Sequence, residues 1–558
     1  MLRAFWTWDP VSSGIYKTFD EPYAYTNNRW FFDKSVWQKM FRTMGGCGFN
    51  AMVLANTHPF PFMIDLSAYP EAKVIDETAL YDYQRMHQWI FETALEYGIA
   101  PYLQFFNIYY PAPMLESRGI DPKNMSTPTD LAVEYTHHCT RKLLETYHDL
   151  AGIIADAGEN VTSMREEFLQ QAIVDAVDAA RPDAALYLRG WGGEPNQFIE
   201  KIKRRNNRPI KYSVKYTFDH LVDSSADPSF NSWVDTVGGE NVTAEFWISN
   251  FEPWTSFSFE TVEGILENLN LLGCDGFSLQ PLSLYEWPCT SDTYFKYQWQ
   301  RDRVWYHTWG GTPISELISE GQPKWLLRNA KLVTGFEAAS KILELLALYL
   351  AGNKQSNWRP QFCSIAENDI NIPHLLSIED MLSLESQEIF SGRKWWEEVT
   401  GDKVVHPAEY IKSGTPVDAY GPEEFIEELI DLSEQAIAAG EKGMRSASGE
   451  KELPSFSRDA QCMGKLGEFY VERFKAALSH ARGENAEALE HITRALDSYR
   501  NISSIDSPHR TQPFAVRVGQ STVLLSWPDI LQALEAELED ATKGEFKQGI
   551  EYPIQTEE

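Results

Sequence analysis

Short apolar runs alternate with amphipathic helical segments through the first half of the chain. Eight runs have the length and composition of strands: Leu2–Trp8, Ala51–Ala55, Ala100–Phe106, Leu150–Ala155, Ala185–Arg189, Ile210–Tyr216, Val242–Ile248 and Gly276–Gln280. Segments with helical periodicity lie between them: Asp33–Met44, Tyr81–Tyr97, Thr129–Tyr147, Met164–Ala180, Asn196–Arg204 and Phe259–Leu272. Strands that alternate with helices form parallel sheets, and eight such units over about 280 residues are typical of a closed barrel. The sequence therefore predicts an α/β fold, a (β/α)8 TIM barrel.

The pattern changes after Cys289. Strand-like runs become rare, and amphipathic helices are predicted at Trp325–Leu350, Pro422–Ala439, Arg458–His480 and Ala486–Tyr499. The acidic stretch from Gly440 to Glu452, which contains further Gly and Ser, has the composition of a solvated loop between helices. We therefore predict two domains, the barrel over residues 1–290 and an α-helical C-terminal domain over residues 291–558. The helical domain is also a candidate homodimer interface.

The chain is strongly acidic. Its 558 residues include 49 Lys and Arg against 81 Asp and Glu, which gives a formal net charge of -32. This charge works against nucleic-acid phosphates and anionic membranes as general partners. An acidic small substrate stays compatible with it if a few cations line the pocket.

The six cysteines are scattered, without a CxxC pair or a Cys/His pair at zinc spacing, so we expect buried thiols and neither a metal site nor another cofactor. The N-terminal MLRAFWTWDP lacks the features of a signal peptide, and no window reaches the roughly 18 apolar residues of a membrane span. These features favour a cytoplasmic protein. A periplasmic or secreted location is the alternative if a signal peptide has been removed.

Polar residues collect where the predicted strands end. In GIIADAGEN, residues 152–160, an apolar run stops at two carboxylates, Asp156 and Glu159. Similar ends supply further candidates: His58, Asn107, Arg189, Lys215, Asp219 and Glu245. Aromatic residues at loop positions could serve as platforms for a sugar: Trp8, Tyr109, Trp191 and Trp254. Because loops after the strand ends build the active face of such a barrel, these groups are predicted to meet at one mouth.

Three carboxylates, two cations and aromatic faces suit the cleavage of glycosidic bonds. One acid protonates the leaving oxygen, an ionised carboxylate activates water, and aromatic rings hold the sugar. Structural roles compete with this interpretation. Asp219 and Glu159 could each cap a turn or a helix, Arg189 and Lys215 could be salt-bridge partners of the carboxylates, and His58 could be an ordinary loop histidine. Glu245 favours function, because an unpaired carboxylate inside a strand is costly to bury.

In motif order, roughly residues 1–320 resemble the α-glucuronidases of glycoside hydrolase family 67 and, more loosely, family 115. The resemblance implies that Glu159 in IIADAGEN is the general acid, and that Asp219 in VKYTFDH and Glu245 in AEFWI are the base pair. It also implies that Arg189 in YLRGW and Lys215 bind the uronate carboxylate. The segment WYHTWGGTP is similar to the passage from the barrel to the helical domain in that family.

Two departures mark a distant relative. Strand one begins almost at the first residue, so we expect the N-terminal β-sandwich domain of the family to be missing. Ala155 stands where the family has a further carboxylate-binding lysine. The resemblance implies an inverting, exo-acting or debranching hydrolase of uronic-acid-containing oligosaccharides. From their positions at strand ends and in loops, we predict these additional substrate contacts: Asp156, His58, Asn107, Trp8, Trp191 and Tyr109. A polysaccharide lyase or another sugar-active barrel enzyme, and a non-catalytic carbohydrate-binding barrel, are the alternatives.

Overall fold

The computed structural model describes most of the chain. The described residues are 1–8, 28–56, 58–106, 110–121, 126–157, 161–190, 193–205, 208–217, 220–283, 286–320, 326, 329–351, 358–365, 374–383, 403–405, 407–415, 418–446, 452–518 and 521–552. They divide into two compact units. The first contains residues 1–216, 229–246 and 267–281, and the second contains residues 217–228, 247–266 and 282–558.

The first unit is built on a closed parallel barrel. Its strands are β1 (Leu2–Trp8), β2 (Ala51–Asn56), β3 (Ala100–Phe106), β4 (Gly152–Asp156), β5 (Ala185–Arg189), β6 (Lys211–Lys215), β7 (Val242–Phe246) and β8 (Gly276–Leu279). Each strand pairs in parallel with the next, and β8 pairs with β1 to close the ring. The predicted (β/α)8 barrel is therefore confirmed, with strand bounds that differ from the expected ones by a few residues at most.

Helices connect the strands as the hydrophobic periodicity predicted. The α-helices along this part of the chain are Lys34–Gly46, Phe60–Met63, Glu77–Glu96, Ala112–Arg118, Asp130–Thr146, Arg165–Phe168, Asp175–Ala180, Pro195–Lys201, Pro228–Val237 and Phe259–Leu271. The helix predicted at Met164–Ala180 contains one π-helical stretch, Leu169–Val174. Acidic or hydroxyl side chains begin several helices; for example, Asp33 accepts a hydrogen bond from the backbone N–H of Ser35.

Apolar side chains from alternate positions of the strands fill the barrel interior. Every second residue faces inward, and these side chains form one apolar cluster: Ala4, Trp6, Ala51, Val53, Ala55, Tyr102, Ile154 and Tyr187. Near the β1–β8 seam the indole N–H of Trp6 donates to the Ser278 hydroxyl at 2.5 Å. Gly276 sits at this seam because a Cβ there would lie 2.0 Å from the carbonyl oxygen of Leu2. A glycine is therefore required for the two strands to pair.

The second unit is mainly helical, as predicted for the C-terminal half. Its longer helices are Val333–Leu346, Pro422–Ser446, Glu452–Ala481, Asn485–Asp506 and Trp527–Thr542. Small pieces of sheet accompany them, including an antiparallel pair, Phe514–Val518 with Ser521–Leu525. Buried ion pairs lie in this unit: Arg458 and Arg510 form a network with Asp292, Asp459 and Asp506, and Arg301 pairs with Asp302. Buried charges of both signs compensate one another there.

One prediction in this unit was wrong in its first part. Of the loop expected from Gly440 to Glu452, the residues up to Ser446 are helical, because the helix that begins at Pro422 continues to Ser446. Residues 447–451 lie outside the described residues. A Cβ on Gly443 would lie 2.0 Å from the Ser457 hydroxyl, and one on Gly440 would lie 2.6 Å from the Ser457 carbonyl oxygen. These glycines therefore permit close packing of two helices, a tertiary role that composition alone does not reveal.

Two further expectations concern buried thiols and membrane spans. Five of the six cysteines are buried, as predicted, and Cys289 is half-buried. Among the helices of the described residues, none is long and apolar enough to cross a membrane. The domain boundary at residue 290 stays a prediction.

Candidate active site

Polar residues occupy the carboxyl ends of four neighbouring barrel strands. Asp156 ends β4, Arg189 ends β5, Lys215 ends β6, and Glu245 is the penultimate residue of β7. Asp156 and Arg189 stand two residues beyond Ile154 and Tyr187 of the interior cluster, so their side chains enter the barrel from the same face. We call this end of the interior the barrel mouth.

Arg189 joins two carboxylates in the barrel mouth. Its Nε and Nη2 donate to Oε2 and Oε1 of Glu245 at 2.9 and 2.7 Å, which is a bidentate pair. Its Nη1 donates to Oδ2 of Asp156 at 2.8 Å. All three side chains are buried: Arg189 is 3% exposed, Glu245 1% and Asp156 2%. The sequence left open a salt-bridge role for Arg189, and the structure shows these salt bridges.

A serine completes the support of Glu245. Ser213, on β6, donates its hydroxyl to Oε2 of Glu245 at 3.1 Å. Both carboxylate oxygens of Glu245 are therefore held by charge-assisted or hydroxyl hydrogen bonds, which fix the plane and position of the group. Ser213 was not among the site residues predicted from the sequence. Alternation could have found it, because Ser213 lies two residues before Lys215 and shares its face.

Lys215 lies beside this cluster, on the strand that pairs with the strand of Glu245. Lys215 and Glu245 are register partners across the β6–β7 pair, and the Lys215 side chain is half-buried. A partly exposed ammonium at a strand end can attract an anionic group of a ligand without the full cost of burying a charge.

His58 has a different environment. It is buried, its Nε2 lies 3.0 Å from the Tyr135 hydroxyl, and its ring stacks on Tyr135 and meets Phe60 edge to face. Burial lowers the pKa of His58 to about 3, so the imidazole is neutral at ordinary pH. This placement favours the structural alternative, a histidine that ties β2 to the helix Asp130–Thr146.

The remaining predicted site residues are only partly placed. Glu159, Asp219, Asn107, Tyr109 and Trp191 lie outside the described residues, and Trp8 is described in its backbone alone, as the last residue of β1.

Trp254 is described and is not a sugar platform. It is buried in the second unit, where its ring stacks on Trp527 at 5.7 Å. Trp254 is therefore a core residue, which corrects the expectation from the sequence.

Within the described residues, no group of three or more His, Cys, Asp or Glu side chains is arranged to hold a metal ion.

The closed parallel barrel and the polar groups at its strand ends define the (β/α)8 class, in which active sites lie at this end of the barrel. No family model and no curated protein sequence matches the chain. Among solved structures, the chain is similar to a GH138 enzyme targeting pectin rhamnogalacturonan II, with a TM-score of 0.83 at 19% identity. The likeness covers 97% of this chain and 67% of that one, and at this identity it concerns the fold. A family 89 glycoside hydrolase from Clostridium perfringens, in complex with PUGNAc, gives a TM-score of 0.44 at 11% identity, over 99% of this chain and 61% of that one.

The first of these likenesses agrees with the fold predicted from the sequence. The more specific resemblance to the α-glucuronidases of families 67 and 115 stays a prediction.

Proposed function

We propose that this protein is a glycoside hydrolase that acts on uronic-acid-containing oligosaccharides. The observation that carries the proposal is the pair of buried carboxylates, Asp156 and Glu245, held by Arg189 in the barrel mouth. Two like charges in a barrel interior are costly for stability, and functional sites are where such arrangements are retained. The fold likeness to a glycoside hydrolase is consistent with this proposal and does not by itself assign an activity.

In the proposed mechanism Glu245 and Asp219 act on the attacking water. Arg189 and Ser213 hold the Glu245 carboxylate in a fixed orientation, as a group that must align water requires. Glu159, which follows β4 in the sequence, would protonate the leaving oxygen. With both oxygens of Glu245 already accepting hydrogen bonds, orientation of water suits this group better than covalent attack on the sugar. We therefore propose inversion, with acid and base roughly 6.5 to 9.5 Å apart.

The proposed substrate is acidic. Lys215 is the half-buried cation of the barrel mouth, and we assign it to the uronate carboxylate. Arg189 is engaged by two protein carboxylates, so we assign it the task of positioning Glu245. The GH138 neighbour targets a pectin, rhamnogalacturonan II, and this makes acidic pectin fragments the first substrates to try. The cytoplasmic location and the homodimer predicted from the sequence stay predictions.

An activity screen with product analysis tests the proposal. Rhamnogalacturonan II fragments and glucuronic-acid-substituted xylan oligosaccharides are incubated with the wild type, Glu159→Gln and Glu245→Gln, and proton NMR identifies the first-formed anomer. We expect release of a uronic acid with inverted configuration, and a loss of at least about a hundredfold in kcat for each variant. Thermal unfolding of each variant provides the control for folding.

Other outcomes identify the alternatives. An unsaturated sugar product would assign the protein to the lyases. Binding of these oligosaccharides without turnover, equal in the wild type and in Glu159→Gln, would indicate a carbohydrate-binding barrel. A product with retained configuration would leave the hydrolase proposal in place and overturn the role of Glu245 in orienting water.

A further inference from the structure

Two glutamines flank the charged cluster of the barrel mouth. Gln104 lies on β3, two residues beyond Tyr102 of the interior cluster, so its side chain also faces the interior. Gln280 follows β8, two residues beyond Ser278, and its backbone N–H still bonds to the Phe246 carbonyl oxygen at 3.0 Å. The charged cluster comes from β4, β5 and β7. In the ring, β3 is next to β4 and β8 is next to β7, so the two amides stand on either side of it.

Neither amide has a hydrogen-bond partner among the described residues. Gln104 is 1% exposed and Gln280 is 0% exposed, and both the oxygen and the nitrogen of each side chain are unpaired there. A buried polar group without a partner destabilises a protein, whereas an apolar side chain of similar size would pack beside the interior cluster at no such cost. Two unpaired amides at the same end of one barrel therefore indicate a polar ligand that completes their hydrogen bonds.

The chemistry of an amide limits what that ligand can be. A glutamine side chain both donates and accepts and carries no charge. A carboxylate or phosphate would be bound by cations, while a sugar hydroxyl, which also donates and accepts, matches an amide. Neighbouring hydroxyls on one sugar ring can engage the oxygen and the nitrogen of the same side chain.

We propose that Gln104 and Gln280 bind hydroxyl groups of the sugar ring held in the barrel mouth and determine which sugar is accepted. This inference rests on the proposed function and extends it, because it assigns hydroxyl recognition to these amides and leaves recognition of the carboxylate to Lys215. Neither glutamine takes part in the bond-breaking step.

Calorimetric titration with glucuronic acid, galacturonic acid and their monodeoxy derivatives tests the proposal on the intact protein. The variants are Gln104→Leu and Gln280→Leu, which keep the approximate volume and remove the polar atoms. We expect about a tenfold weaker affinity for the better of the two sugars in each variant. At least one monodeoxy sugar should bind the wild type more weakly than the parent sugar does, and this difference should disappear in one of the variants.

Gln298→Leu is the matched control. Gln298 is a buried glutamine of the second unit whose amide nitrogen donates to the carbonyl oxygens of Ser283 and Cys289 at 2.6 and 2.9 Å. Its replacement should lower the melting temperature and leave sugar affinity unchanged. Gln104→Leu and Gln280→Leu should be at least as stable as the wild type, because each removes a buried amide that has no partner among the residues that the structure describes.

The outcomes separate this inference from the proposed function. If the wild type hydrolyses acidic oligosaccharides and both glutamine variants keep wild-type affinity, the amides hold only water and the inference fails alone. If the wild type binds these sugars without hydrolysis and the variants bind more weakly, the inference is supported and the hydrolase proposal fails. If the wild type neither binds nor hydrolyses them, both are overturned.

Discussion

Replacing Arg189 tests whether the barrel mouth is organised around its guanidinium. In Arg189→Met the methionine keeps much of the side-chain volume, while Asp156 and Glu245 lose the three hydrogen bonds of 2.7 to 2.9 Å that now neutralise them. Removal of one member of a buried ion cluster costs about 3–5 kcal/mol, because the remaining charges stay desolvated. We expect a loss of that size in the free energy of unfolding at pH 7.

Urea unfolding followed by circular dichroism measures the difference in the free energy of unfolding between Arg189→Met and the wild type at pH 7.

A surface arginine is the control for the loss of a positive charge. Arg141 is exposed and pairs with Glu145, which is also exposed, and its replacement by methionine should cost no more than about 1 kcal/mol. Arg189→Lys should recover part of the stability but little activity, because an ammonium cannot form the bidentate pair with Glu245. If Arg189→Met were as stable as Arg141→Met, the ion cluster would not have the role described here.

Three further predictions concern other parts of the first unit. Gly276→Ala should lower the free energy of unfolding by about 2 kcal/mol or more, because the new Cβ would lie 2.0 Å from the Leu2 carbonyl oxygen. Gly46→Ala is the control in the same urea assay. A Cβ there has nothing within 4 Å, so this variant should be neutral or stabilising. Burial lowers the pKa of His58 to about 3, so the histidine stays neutral in the folded protein, whereas in the unfolded chain it takes up a proton below about pH 6.5. The free energy of unfolding should therefore fall by about 2 kcal/mol between pH 7 and pH 5. His58→Phe should flatten that dependence, and an unchanged slope would contradict the neutral buried state. Lys215→Met should raise KM for acidic aryl glycosides at least about tenfold with little change for neutral ones, and an equal loss on both would refute its carboxylate-binding role.

The sequence by itself determined the barrel and the positions of its strand ends. Parallel barrel strands are buried on both faces and give short continuous apolar runs, whereas the surrounding helices bury one face and give a period of 3.6 residues, so both patterns are local and readable along the chain. Asp156, Arg189, Lys215 and Glu245 could be placed at strand ends for the same reason, because a polar residue that terminates an apolar run is visible without any knowledge of its neighbours in space.

Only the tertiary structure decided which of these groups meet. Arg189 could have faced a substrate or a protein carboxylate, and the closed ring, in which β5 lies next to β4 and two strands from β7, brings it to two carboxylates at once. The environment of His58 is likewise set by the packing of the helix that carries Tyr135. The need for a glycine at position 440 is set by the neighbouring helix, which carries Ser457. The unpaired state of Gln104 was also hidden in the sequence, because hydrogen-bond satisfaction depends on atoms that are distant along the chain and close only after the barrel has formed.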